Sequence, residues 1–238
     1  MLYSFAGLII DIRFRDAFGL KLCERYIYTG EQPADMVIEV TDQMIEAERE
    51  MDLYNSSFGL LESLAAYREI CNRAFKYDCM FMHCSAIAYK GNGILFTAPS
   101  GTGKSTHSAL WRRHFGEAVQ MVNDDKPLLR FYDDRIDVCG TPWDGKHRRS
   151  NNIAVPVKAI FVLAQAPENR VRKATAREAL YHILNQTIRP EDPALMGKVL
   201  DFCQRLLQSV PVYYLECNIS EEAVETAFEA VKGDLDEN

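Results

Sequence analysis

The segment Ala98-Pro99-Ser100-Gly101-Thr102-Gly103-Lys104-Ser105 constrains this chain more than any other. It matches the Walker A phosphate-loop pattern, with alanine at the first position where glycine is commoner. The apolar run Gly93 to Thr97 reads as a strand feeding the loop, and Lys104 to Phe115 reads as a helix leaving it. Gly101 and Gly103 permit backbone conformations that aim successive amide hydrogens at one point, an anion nest at a helix N-terminus. Lys104 has the reach for β- and γ-phosphates, and the Ser105 hydroxyl suits magnesium. Ala98 to Ser105, with Thr106 beside them, are thus the candidate nucleotide-binding residues, and ATP and Mg2+ the expected cofactors.

Phosphoryl transfer also needs carboxylates, to hold the metal and to orient or deprotonate an acceptor hydroxyl. Asn123-Asp124-Asp125 follows the strand-like run Val119 to Val122, where a Walker B type acid belongs. Successive strand residues face opposite ways, so both carboxylates serve one site only where the strand has already bent. His83 lies at the start of the strand that pairs with the one feeding the loop, within reach of the same pocket from the side.

Elsewhere the pattern is mixed. Leu2 to Phe14 and Met36 to Val40 read as strands around the loop Thr29 to Pro33, and Phe58 to Ala74 as a helix capped by Ser56 or Ser57. Residues 1–76 form an expected small α+β lobe and residues 77–238 the expected catalytic domain. Cys79 to Tyr89 and Gly93 to Thr97 make a hairpin signal around Lys90-Gly91-Asn92. Short strands follow at Leu128 to Tyr132 and Ile136 to Val138, then a continuous apolar run at Ala159 to Ala164, as for a strand buried on both faces. The last third reads as helices at Arg177 to Thr187, Pro193 to Leu207 and Glu221 to Lys232, with a strand at Val212 to Glu216; Gly233 to Asn238 reads as a loose acidic tail.

A formal net charge of -7 over 238 residues argues against broad electrostatic binding to nucleic acid or anionic membrane. The seven cysteines are odd in number, lie in apolar runs and form no C-x-x-C pair, which reads as reduced thiols in a cytoplasmic protein without a structural zinc. Leu2 to Ile10 is too short to span a bilayer, and Asp11, Arg13 and Arg15 follow where an export signal would have small residues. The basic run Lys146, His147, Arg148, Arg149 after the turn-rich Gly140 to Gly145 is either a solvated loop or a mobile cover that brings positive charge to the γ-phosphate or grips an acidic acceptor; Trp143 packs on the acceptor or anchors the loop. Arg170 and Arg172 are further candidates to face the site.

His83, then Gly91 to Thr97, then Ser100 to Ser105, then Asp124-Asp125 resemble the catalytic domain of HPr kinase/phosphorylase and its relatives. Gly140-Thr141-Pro142-Trp143-Asp144-Gly145-Lys146, with Asn152 and Pro156, resembles most the branch containing kinases of lasso-peptide precursors. The resemblance covers His83 to Ala164 and implies an α/β, P-loop-containing, phosphoenolpyruvate carboxykinase-like mixed-sheet fold. It implies Lys104 on the phosphates, Ser105 on magnesium, and Asp124-Asp125 divided between proton transfer and metal, with Asp124 as base and Asp125 on the metal, or the reverse. His83 then orients one carboxylate, and Asp137 is a weaker metal candidate. Thr106 stands where the HPr enzymes have glutamate, and the Gly140 to Lys146 segment replaces their signature, so an HPr acceptor and phosphorolysis do not carry over. The expected activity is transfer of the γ-phosphate to a Ser or Thr hydroxyl of a peptide or protein. A small-molecule alcohol such as serine is the alternative acceptor, and a non-catalytic ATP-binding regulator the alternative class. A homo-oligomer is compatible with either.

Overall fold

The computed structural model describes residues 1–190 and 192–236. Its elements run β1 (Leu2–Phe5), β2 (Leu8–Arg13), α1 (Ala17–Leu22), β3 (Met36–Glu39), α2 (Asp42–Met51), α3 (Phe58–Ala74), β4 (Cys79–Phe81), β5 (Ser85–Tyr89), β6 (Asn92–Thr97) and α4 (Lys104–Phe115). Then come β7 (Val119–Asn123), β8 (Leu128–Phe131), β9 (Ile136–Cys139), β10 (Ala154–Gln165), β11 (Arg170–Lys173), α5 (Ala176–Asn185), α6 (Met196–Ser209), β12 (Val212–Cys217) and α7 (Glu221–Asp236). The protein is α/β with mixed sheets.

The long α3 follows from its apolar spacing. Ser57 caps it, its hydroxyl accepting from the Leu60 amide at 3.3 Å, and Leu61, Ala65, Ile70 and Ala74 turn inward. Glu62, which the charge pattern places outside, is fully buried, because its carboxylate accepts the backbone amides of Arg15 at 2.9 Å and Asp16 at 3.0 Å ahead of α1. The predicted acidic tail is helix as far as Asp236, since Val231 and Leu235 join the core; residues 237–238 lie outside the described residues.

A small sheet in the order β1-β2-β3 carries the first lobe, with β2 and β3 parallel. The large sheet runs β4-β8-β9-β10-β6-β5-β7, with β12 also paired to β10 and β11 to β12. Strand β10 joins its two halves. Its start pairs antiparallel with β9, and its later residues pair parallel with both β6 and β12. There Ala159 to Leu163 are all buried, with α4 and α7 covering one face and α5 and α6 the other.

Strand direction sets the position of the candidate site residues. β5 is antiparallel to both β6 and β7, so β6 and β7 run the same way. The chain leaving β6 after Thr97, the chain leaving β7 after Asn123 and the chain entering β5 at Ser85 therefore meet at one edge of the sheet, the carboxyl end of its parallel strands, where open α/β sheets bind ligands. The first lobe packs beside that edge. Its Phe5, Tyr26, Leu61 and Tyr67 share a core with Cys79, Phe81, Leu128, Cys139 and Trp143 from beyond residue 76.

Candidate active site

The glycine loop joins β6 to α4, the strand–loop–helix order expected from the sequence. Gly101 (φ +82°) and Gly103 (φ +112°) are in the left-handed region that favours glycine, and Gly103 starts α4 with no side chain capping its first amides. Lys104 is buried and folds back over its own loop, its Nζ donating to the Ala98 carbonyl at 2.9 Å and the Pro99 carbonyl at 3.4 Å. Burial pulls its ammonium below the usual lysine value, against the opposing pull of Asp125. Gln165 at the end of β10 steadies the loop from the other side, donating to the Thr102 carbonyl at 3.2 Å.

The chain bends immediately after Asn123, so both carboxylates face the same cleft. Asp124 is buried against the sheet. Its Oδ1 accepts from the Ser85 hydroxyl at 2.7 Å and more weakly from the Ser108 hydroxyl on α4 at 3.5 Å, while Oδ2 accepts no hydrogen bond among the described residues. Asp125 is more open, its side chain 23% exposed. His83 Nε2 stands 3.2 Å from its Oδ1, and Lys126 Nζ 2.5 Å from its Oδ2. Burial alone would raise the Asp125 pKa, but the His83 contact and the Lys126 charge outweigh it and hold the carboxyl down at about 2.

Asn123 holds the bend. Its side-chain oxygen accepts the amides of Asp125 at 2.8 Å and Lys126 at 2.7 Å, and its side-chain nitrogen donates to the Thr141 carbonyl at 3.0 Å and the Trp143 carbonyl at 3.3 Å. Thr141 returns the tie by donating its hydroxyl to the Lys126 carbonyl at 2.6 Å, the same atom that Tyr67 on α3 reaches at 2.6 Å. Trp143 is buried, its ring tilted at 30° against Tyr67 with centroids 4.5 Å apart, and it donates its indole N–H to the Ser63 carbonyl at 2.9 Å.

The turn-rich segment Gly140 to Gly145 is thus fixed over its first five residues and leads into the exposed basic run Lys146 to Arg149, the solvated loop or mobile cover expected from the sequence. Gly140 to Asp144 are core, fixed by Asn123 and by the first lobe, and Trp143 anchors the loop instead of meeting an acceptor. Only Gly145 to Arg149 are exposed.

His83, Ser100, Gly101, Gly103, Lys104, Ser105, Thr106, Asp124 and Asp125 line one cleft of about 550 Å³, which Gly145, Lys146, His147 and Tyr54 complete. Tyr54 has no sequence signal. It projects from the loop between α2 and α3 and is 87% exposed. Asp137 does not line this cleft and pairs with Arg135 at 3.1 Å. Arg170 and Arg172 lie on β11, away from the cleft, where Arg172 pairs with Glu178 at 2.7 Å. A second cleft of about 610 Å³ opens on the far side of the same loop, walled by Leu110, Leu163, Pro167, Cys217 and Ile219.

No protein-family model and no curated protein matches the chain. Among solved structures, the HPr(Ser) kinase/phosphatase of Coxiella burnetii aligns at 16% identity with a TM-score of 0.29, over 66% of this chain and 99% of that one. So slight a likeness assigns this chain neither fold family nor activity. No helix among the described residues is long and apolar enough to cross a membrane.

Proposed function

We propose that the protein is an ATP- and Mg2+-dependent kinase of the HPr kinase-like, phosphoenolpyruvate carboxykinase-fold type, transferring the γ-phosphoryl group to a Ser or Thr hydroxyl of a peptide or protein. One observation carries the reading: the phosphate loop, a paired carboxylate turn and a histidine open onto a single cleft from three chain ends at one sheet edge. The loop amides and Lys104 would hold the β- and γ-phosphates, with Lys104 exchanging the Ala98 carbonyl for a phosphate oxygen. The apolar second cleft suits the nucleoside, since it adjoins Gly101 to Gly103 on the side away from the carboxylates.

The geometry favours one division of the two aspartates. Ser105 and the free Oδ2 of Asp124 are hard oxygen donors of the kind magnesium takes, and the ion would supply charge neutralisation at the transferring group. Asp125 is the more accessible carboxylate and the one that His83 orients, which suits it to receive the acceptor proton. The acceptor oxygen bonds to phosphorus as the bond to the ADP oxygen breaks, and the acceptor proton passes to Asp125. A carboxylate with so low a pKa is a weak base, which is adequate where phosphoryl transfer is largely dissociative and the proton leaves late.

Lys104→Ala and Asp125→Asn should each lower transfer from labelled ATP by at least about a hundredfold, measured as phosphopeptide formation in a degenerate Ser/Thr peptide library. Undiminished transfer in Asp125→Asn sinks its role as proton acceptor. Thermal stabilisation by ATP with no product from either peptides or a metabolite mixture would favour the non-catalytic alternative, and product from metabolites alone the small-molecule kinase.

A further inference from the structure

The loop Gly145 to Asn151 has two sides. Gly145, Lys146 and His147 face the phosphate cleft, while Arg148, Arg149, Ser150 and Asn151 wall a separate open cleft of about 410 Å³. Arg25 from the first lobe and Arg112 from α4 complete this outer cleft, so guanidinium groups from three elements distant in sequence converge there. No carboxylate lines it, and none of the four arginines is in an ion pair among the described residues. Glu24 and Asp144 line the adjoining smaller cavity together with Arg25 and Arg148; Asp144 is buried, accepts the Ser150 hydroxyl at 3.0 Å and feels the charge of both arginines.

In a chain of net charge -7, four arginines gathered with no carboxylate in the cleft and no ion pair among the described residues form a local positive patch that attracts an anion. Arg112 feels that patch directly. Its Nε is buried without a hydrogen-bond acceptor, and its pKa is lowered by burial and by the Arg149 charge against the smaller opposing pull of Asp124. Arg148 is exposed but holds a left-handed backbone (φ +47°), and its guanidinium lies 5.6 Å from the Phe18 ring, which limits where the group points.

We propose that this outer cleft docks a carboxylate-rich segment of the acceptor polypeptide, next to the hydroxyl-bearing residue in the phosphate cleft. The inference rests on the kinase reading for the word acceptor; the anion site itself does not. The cleft is too large for a single inorganic anion and open at its mouth, as an extended chain requires, and planar guanidinium groups pair with carboxylates bidentately. The acidity of the rest of the molecule disfavours a nucleic acid, whose charge extends well beyond the cleft.

Fluorescence anisotropy of fluorescein-labelled hexaglutamate on the full chain tests this, with hexaglutamine and hexathymidylate as comparison probes. Hexaglutamate should bind at low salt, hexaglutamine should not, and the double variant Arg25→Gln/Arg149→Gln should weaken binding by about tenfold while keeping its thermal stabilisation by Mg-ATP. Binding within twofold of the unaltered chain in that variant overturns the proposal, as does equal binding of hexaglutamine or preferential binding of hexathymidylate. Arg112→Gln, tested alone, keeps the assay decisive if the double variant folds poorly. Hexaglutamate binding without any Mg-ATP stabilisation would leave the anion site standing and remove the kinase reading; Mg-ATP stabilisation without hexaglutamate binding would do the reverse.

Discussion

At the scale of single residues, the most informative group is Asp125. Its folded pKa of about 2 lies below the ordinary unfolded aspartate value of about 3.9. A depressed carboxylate contributes stability that is fully present above the unfolded value and is lost as pH falls through the folded one. The contribution of Asp125 should thus disappear between about pH 4 and pH 2, and Asp125→Asn should flatten the stability curve in that window relative to the unaltered chain, read from denaturant melts at closely spaced pH. His83→Ala should raise the Asp125 pKa, followed by carboxyl NMR, because the histidine contact is the strongest of the influences lowering it. An Asp125 titration unmoved by that change would assign its low pKa to Lys126 instead, whose ammonium lies on the other oxygen.

At the scale of elements, the turn after β7 is held from within. Asn123 is fully buried and satisfies two amides of the carboxylate turn while gripping the Thr141 to Trp143 strap. Asn123→Ala leaves those groups unpaired and should cost about 3 kcal/mol in urea melts, with faster hydrogen exchange at the Asp125 and Lys126 amides. Gly145 ends the strap at φ +73°, where an added Cβ would stand 3.1 Å from Asp125 Cβ. Gly145→Ala should therefore destabilise by about 1 to 2 kcal/mol and disturb the Asp125 titration, an effect absent for Lys146→Ala next door. The glycine loop, α4 and the bend at Asp124 were legible because loop chemistry is local: glycine φ freedom, a helix start and a polar break in an apolar strand need no tertiary partner. Trp143 was not, because an isolated tryptophan in a turn-rich segment is the same string whether it meets an acceptor or, as here, Tyr67 and Ser63 some eighty positions earlier. Helix α2 escaped notice because only Ile45 and Glu48 are buried, which leaves almost no apolar period, although Thr41 caps it. Strand β11 is Arg-Val-Arg-Lys, an edge strand whose charge reads as loop. Tyr54 lies on a connection that no spacing rule places over a cleft.

At the scale of the whole molecule, the first lobe and the region carrying the glycine loop meet through a shared apolar core tied by hydrogen bonds such as Tyr67 to the Lys126 carbonyl and Trp143 to the Ser63 carbonyl. Phe5 and Tyr67 touch Trp143 edge-on and tilted, Phe81 packs against Tyr67, and Leu128 and Cys139 close the layer. The strap that positions Gly145 beside Asp125 is thereby fastened to α3, so the lobe supports the site although Tyr54 is its one residue in the cleft among those described. A chain beginning at residue 77 would keep the phosphate loop, both aspartates and His83, yet expose Cys79, Phe81, Leu128, Cys139 and Trp143 together. Uncovering a contiguous apolar surface of this kind favours association, and losing the partners of Trp143 removes on the order of 3 to 5 kcal/mol of packing. The truncated chain should aggregate or elute as large species in size-exclusion chromatography, and the full chain carrying Trp143→Ala should melt several degrees lower with weakened phosphoryl transfer. A soluble, monodisperse 77–238 chain that still gains stability from Mg-ATP would show that the lobe is an accessory to a self-sufficient nucleotide-binding domain, and the fastening through Trp143 would then have to be dispensable to the site.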